Sequence, residues 1–416
     1  MDELFEQLQD DTRSFWQSPS AIRRLDAMPP ATTFFRDYVA TSTPVIISGG
    51  VSGWNAARSW DDLASLAGDN PELEVTVDFT PDGRGDCVVE DLGLFEKNRQ
   101  DDGDDDGRGA CREETAAASC DGGADGGAKG AAKGGSNRGA AVFVKPEERR
   151  IKFAAFVDML STAAEAAAPS EDRCGGDSAP VRGGSSGSSS TGSEVPYLSH
   201  QQNDSLRQEF PGLMKDVEPF LALAREAFGN EPDAVNLWIG DDRSLSAVHK
   251  DHYENMYCVV RGEKHFTLLP PSDVLFLYEQ DYPQGRYRRK SEGEGFEVEM
   301  EEGTVPWIPV DPACPDLEKF PLFRHASPVK CCVGPGDILY LPALWYHRVS
   351  QKGVTVAVNY WHDMQFDHKY VYYRFLQSLA QKCRGGGSPL DSAERATGRP
   401  PVASEVEDGE NEGSVR

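Results

Sequence analysis

From Val235 onward the apolar residues come in short runs broken by Gly and Pro. Val235 to Gly240, Asn255 to Val260, His265 to Leu269, Cys331 to Val333, Asp337 to Leu341 and Val354 to Tyr360 each read as a strand. The joins carry turn chemistry: Arg261-Gly262-Glu263, Pro270-Pro271 and Gly334-Pro335-Gly336. Many short strands with tight turns predict a sandwich or jelly roll. A helical apolar face follows at Lys369 to Gln381, with Tyr370, Tyr373, Phe375, Leu376 and Leu379; it suits packing on the strands or on a second subunit.

The N-terminal part mixes the two periods. Leu4, Phe5, Leu8, Phe15 and Trp16 fall at helical spacing over residues 2 to 17, and Phe34 to Val39 reads as a short helix. Val45-Ile46-Ile47 is a buried-strand run ending at Gly49-Gly50, and Glu74 to Phe79 alternates like a strand up to Pro81-Asp82-Gly83. A helix is expected over Ser59 to Ala67 with Ser59 as N-cap, and another over Ile151 to Ala168, carrying Phe153, Phe156, Val157 and Leu160.

Two stretches have too few apolar groups to offset the entropy of ordering the backbone: an Asp/Gly/Ala stretch over 100–140 and a Gly/Ser-rich one over 168–194. They read as disordered insertions looping out of one domain. The expected organisation is a helix-and-strand region over 1–99, the first insertion, a helical segment over 141–167, the second insertion, the strand-rich core with its last helix over 195–383, and a disordered acidic tail over 384–416.

The formal charge of −27 argues against electrostatic nucleic-acid binding, which needs a basic surface. It fits a solvated acidic surface or a basic protein partner. No apolar run approaches the roughly 18 residues of a membrane span, and the N-terminus lacks the basic-then-apolar order of a secretory signal. The nine cysteines make no CxxC pair, which disfavours a zinc ribbon and suggests reduced thiols in the cytosol or nucleus.

The chemistry concentrates on His249-Lys250-Asp251. Residues i and i+2 of an extended chain point to the same side, so an imidazole and a carboxylate can grip one ion. A third ligand is available from His347 in Trp345-Tyr346-His347-Arg348. Two His and one carboxylate on one face of a metal leave the opposite face open, the facial triad of non-haem iron(II) oxygenases. A lone H-x-D arises by chance in many chains. Lys264, fifteen residues after His249, strengthens the case, because a metal beside one buried lysine suits a dicarboxylate; a solvated turn lysine is the alternative. His252, His265, His325, His362 and His368 have no partner motif.

The segment SAVHKDHYENMYCVVRGEKHFTLLPPSD, with GDILYLPALWYHRV and AVNYWHD, resembles the jumonji-C protein hydroxylases. FTPDGRGD, KPEERRIKFAAFVDML and YLSHQQNDSL extend the likeness to the N-terminal half, and the subgroup it resembles most is that of the bifunctional peptidase and lysyl hydroxylases. The resemblance implies a β-dominated α+β fold: a double-stranded β-helix of the cupin type with helices at both ends. It implies iron(II) held by His249, Asp251 and His347, with 2-oxoglutarate and O2 as co-substrates. Lys264 then meets the distal 2-oxoglutarate carboxylate. Ser246, Tyr197, Asn255, Tyr257 and Asn359 fall at pocket positions, ordinary hydrogen bonding inside the fold being the alternative for each. The implied reaction couples decarboxylation of 2-oxoglutarate to hydroxylation of a protein lysine, the subgroup's substrate being a developmentally regulated GTP-binding protein. N-methyl demethylation and a non-catalytic cupin-type binding protein are the rival readings. Peptidase activity has no support: HExxH does not occur, and the GxSxG match at Gly183 to Gly187 lies inside the Gly/Ser-rich stretch rather than between a strand and a helix.

Overall fold

The computed structural model describes residues 2–15, 21–90, 141–167, 194–199 and 204–384. Both low-complexity stretches (apart from Glu194), the tail beyond Arg384 and Trp16 lie outside these residues. Among the described residues the strands form a nine-stranded, a four-stranded and a three-stranded sheet.

The large sheet is organised by two long antiparallel strands, Tyr253–Leu269 and Tyr346–Asp363. Leu245–His249 and Ala234–Gly240 pair with the second. Val329–Val333 and Ile338–Leu341 pair with the first. The short Val45–Ile47 run, fully buried as its unbroken apolar sequence predicts, pairs with Ile338–Leu341 and carries Arg23–Leu25 on its other side.

Gly262 corrects an expectation. The sequence suggests a turn between two strands there, but Tyr253–Leu269 runs through as one bent strand whose register against its partner shifts at that point. Gly262 has φ +70, and a Cβ there would sit 2.5 Å from Thr355 Cγ2 and 2.7 Å from the Val354 carbonyl. Only glycine fits such a bulge.

Other boundaries shift for identifiable reasons. The helix expected over Ser59 to Ala67 is two pieces, Ala56–Ser59 and Leu63–Gly68. The cap of the second is Asp62, whose carboxylate accepts from the Ala64 and Ser65 amides at 3.0 Å. The segment over 141–167 is not all helix. Val142–Lys145 and Glu147–Lys152 are strands, and the helix is Phe153–Ala167. Glu147–Lys152 hides its strand character because it is nearly all charged; it is held against Glu74–Thr80 by the ladder, with Arg149 stacked 4.1 Å over Phe79. The hairpin Gln280–Arg289 with Phe296–Trp307, charged at a smaller share of its positions, supplies two strands of the four-stranded sheet.

Helices sit at both chain ends of the described fold. In Asp2–Phe15, Phe5 is buried against Phe276 and His325. His368–Arg384 buries Tyr373 and Ala380 but leaves Val371, Tyr372 and Phe375 exposed.

Candidate active site

The H-x-D segment closes the Leu245–His249 strand. That strand pairs antiparallel with Tyr346–Asp363 so that His249 lies opposite His347. The two rings are 4.2 Å apart between centroids. Asp251 is fixed by its backbone: its carbonyl accepts from Leu344 N–H at 2.9 Å, which pins the H-x-D segment to the turn before Tyr346. His347 Nε2 then stands 3.6 Å from Asp251 Oδ2, and donor atoms of all three residues lie within 4.8 Å of one another.

The tautomers are set from behind. His249 Nδ1 bonds the Ala247 carbonyl at 2.7 Å and His347 Nδ1 bonds the Trp345 carbonyl at 3.0 Å. Each Nδ1 must donate, which leaves each Nε2 lone pair free for the space between the three groups. Burial, and then the neighbouring His249, push His347 down to about 4, so it is neutral at pH 7, the form that ligates metal.

Lys264 lies on the Tyr253–Leu269 strand opposite Gln351, four residues along from His347 and so about 13 Å of strand away. It is fully buried. Its ammonium donates to Tyr197 Oη at 3.0 Å and to Gln351 Oε1, and Gln351 is oriented by donating to the Asp241 carbonyl at 2.8 Å. Burial alone pushes this lysine down to about 7, with no carboxylate countering it. Gly240 allows the cradle: a Cβ there would lie 2.5 Å from Gln351 Nε2 and 2.6 Å from the Tyr197 ring.

Tyr197, Ser246, Asn255 and Tyr257 line the inner pocket together with His249, Asp251 and His347. Tyr197 hydrogen-bonds Ser246. Asn359 lies beneath this wall, accepting from Trp238 Nε1 at 2.8 Å and donating to Asn255 Oδ1 at 3.1 Å, so it orients other pocket residues. Trp238, Phe266, Val349 and Trp361 complete the lining. None of these four was singled out from the sequence for the pocket, since an apolar strand residue gives no sign of which face meets a cavity.

The pocket opens into a cavity of about 340 Å³ whose wall includes His249 and Asp251 together with Asp78, Asp86, Glu148, Lys145, Arg286, Trp307 and Trp361. A larger cavity, about 750 Å³, lies beside Tyr38, Pro328 and Trp345, away from the convergent donors.

A profile of the family described as a cupin-like domain matches residues 31–368. Among curated proteins, the chain is 36% identical over 374 residues to the Arabidopsis thaliana lysine-specific demethylase JMJ32, covering 87% of each chain. It is 33% identical over 365 residues to the human bifunctional peptidase and (3S)-lysyl hydroxylase JMJD7, covering 87% of this chain and 90% of that one. The Dictyostelium discoideum JmjC domain-containing protein E is 32% identical over 381 residues, with 86% and 89% covered. The chain belongs to the cupin-like JmjC family. In this JmjC protein the convergent donors, the open cavity in front of them and the buried lysine behind all lie within the matched region.

Proposed function

We propose that this chain is an iron(II)- and 2-oxoglutarate-dependent oxygenase on a double-stranded β-helix, and that it hydroxylates a lysine side chain of a protein. The observation that carries the reading is the pairing of His249, Asp251 and His347 on one face with a buried, counter-charge-free Lys264 behind them. The donor set is the two-imidazole, one-carboxylate set that suits iron(II) and leaves sites for a chelating keto acid and O2. When bound, that iron supplies the oxidising power for the C–H step.

The chain's own residues do the rest. Lys264, steered by Tyr197 and Gln351, receives the distal carboxylate of the dicarboxylate; an ammonium with no anionic partner stays costly to bury until one arrives. Ser246 and Asn255 offer polar contacts along the same wall, and Tyr257, Phe266 and Val349 exclude water from it.

The lysine reading rests on the cavity mouth. Glu148 is tied to Arg286 at 2.6 Å, Lys145 to Glu301 at 2.7 Å, and Asp78 accepts from Ser199 at 2.6 Å. Asp86 makes no hydrogen bond or ion pair among the described residues; burial holds its carboxyl above the usual range, with Lys145 and Arg286 nearby pulling it back. Its place follows from the FTPDGRGD segment, because Arg84–Gly85 pairs alongside Leu245 and Ser246 and delivers Asp86 to the mouth. A cationic side chain entering toward His249 would meet this unpaired carboxyl and favour its ionised form. A GTP-binding protein substrate belongs to this proposal as the resemblance implies it, and a homodimer through the terminal helices as the exposed Val371, Tyr372 and Phe375 of His368–Arg384 support it.

Demethylation is the second reading, favoured by Trp307 and Trp361 in the same wall, since aromatic faces suit methylated ammonium groups. Incubation with 2-oxoglutarate, iron(II) and lysine or methyl-lysine peptides separates them. Gain of one oxygen on unmodified lysine supports hydroxylation. Loss of a methylene with formaldehyde, and no oxygen gain, overturns it.

A further inference from the structure

A second donor cluster sits on the outer face of the large sheet. Glu263 and His265 are an i, i+2 pair on the Tyr253–Leu269 strand, and Cys332 lies directly across from His265 on Val329–Val333. The distances are 3.4 Å for His265 Nε2 to Glu263 Oε2, 3.9 Å for Cys332 Sγ to Glu263 Oε2 and 4.0 Å for Cys332 Sγ to His265 Nε2. A zinc ion with Zn–S near 2.3 Å and Zn–N and Zn–O near 2.0–2.1 Å has tetrahedral donor edges of about 3.3–3.6 Å. The three atoms need to close by only about half an ångström to reach them.

We propose that Glu263, His265 and Cys332 form a zinc(II) site distinct from the interior triad. The donor chemistry selects the ion: one thiolate, one imidazole and one carboxylate suit borderline-soft zinc, whereas the interior set has no sulfur. Three protein donors leave the fourth position to water. Each donor is partly exposed, so entry is open. The competing contacts are weak. Glu263 also faces Lys352 at 3.7 Å across solvent, and Arg24 donates to the Cys332 carbonyl rather than to its sulfur. Cys331, the neighbour in sequence, packs on the inner face and takes no part.

Binding replaces the thiol proton of Cys332 by the metal and releases that proton to solvent, with no change of oxidation state. Because binding displaces that proton, metal affinity rises with pH. The consequence for the fold is local. The residue between Glu263 and His265 is Lys264, whose side chain points to the opposite face, and a metal here ties its backbone to the Val329–Val333 strand.

Cobalt(II) tests the site, because a sulfur-to-cobalt charge-transfer band in the near ultraviolet reports thiolate ligation and the interior triad cannot produce it. Full-length protein is titrated with cobalt(II), then zinc(II) is added. The expected result is one band-forming equivalent per chain, displaced by zinc, abolished in Cys332→Ser and weakened at least tenfold in His265→Ala. Cys314→Ser, an exposed thiol elsewhere, should leave it unchanged. No band in the parent, or a band that survives Cys332→Ser, overturns the proposal. So does a His265→Ala variant that binds as the parent does while retaining its circular dichroism.

Discussion

The two donor clusters of this molecule share one construction and differ in surroundings. Each takes an i, i+2 pair from the end or bend of a strand and a third donor from directly across the ladder: His249, Asp251 and His347 inside, Glu263, His265 and Cys332 outside. Inside, both imidazoles are fixed by backbone carbonyls and backed by aromatic walls. Outside, Glu263 and His265 side chains are 40% and 44% exposed, and no backbone carbonyl orients His265 among the described contacts. The same ladder geometry therefore yields a preorganised, water-excluding centre in one place and an adjustable surface site in the other. What separates them is the supporting shell.

The largest expected effect comes from breaking the inner cluster. His347→Ala or Asp251→Ala should remove detectable turnover and weaken iron(II) binding by at least a hundredfold, while Cys332→Ser leaves both within about twofold. Metal titration with and without 2-oxoglutarate measures this, and equal losses in both clusters would erase the distinction.

Next in size is Lys264→Ala, which leaves an anion in a dry pocket with no partner. A loss of about 3–5 kcal/mol, or more than a hundredfold in 2-oxoglutarate affinity, is expected, with iron binding retained. Because burial pushes Lys264 down to about 7, binding should be level below that pH and weaken about tenfold per unit above it, until the pKa of the ligand-bound lysine is passed. A lysine already protonated binds the carboxylate directly, and above pH 7 it must first take up a proton. Lys264→Arg, which cannot deprotonate, should flatten the profile whatever its affinity. A profile that falls equally in both proteins would remove the titration from Lys264.

Much of the inner cluster was legible in the sequence because its donors lie in short motifs flanked by apolar strands: H-K-D before Tyr253–Leu269, and W-Y-H opening Tyr346–Asp363. Trp307 closes a hairpin in which Phe296, Val298 and Met300 alternate with Glu297, Glu299 and Glu301, a pattern that signals a strand but not which residue meets a cavity, and Asp86 ends the FTPDGRGD segment, to which the resemblance assigns no residue role. Cys332 and His265 are nearly seventy residues apart, joined only by a ladder, so a search for closely spaced cysteines passes over them. Gly262 misled in the opposite direction, since a turn and a bulge demand the same residue.

A smaller effect is expected at the mouth. Asp86→Asn removes the unpaired carboxyl and should raise KM for a lysine peptide about 10- to 100-fold with kcat changed far less, as for a charged hydrogen bond of about 1.5–3 kcal/mol. A peptide with norleucine in place of lysine should not distinguish parent from variant. The smallest effect is on stability: zinc at a hundredfold excess over its Kd should stabilise the parent by about 2.7 kcal/mol and raise Tm by a few degrees, with no change in Cys332→Ser.

The central claim is that the inner cluster and Lys264 together hold iron(II) and a chelating dicarboxylate. Anaerobic addition of iron(II) and 2-oxoglutarate tests it directly, since chelation of iron(II) by a 2-keto acid gives a visible metal-to-ligand charge-transfer band. The band should saturate at one equivalent per chain, vanish in His347→Ala, require far more 2-oxoglutarate in Lys264→Ala and be unaltered in Cys332→Ser. A parent protein without the band, or a band that persists in His347→Ala, would contradict the account.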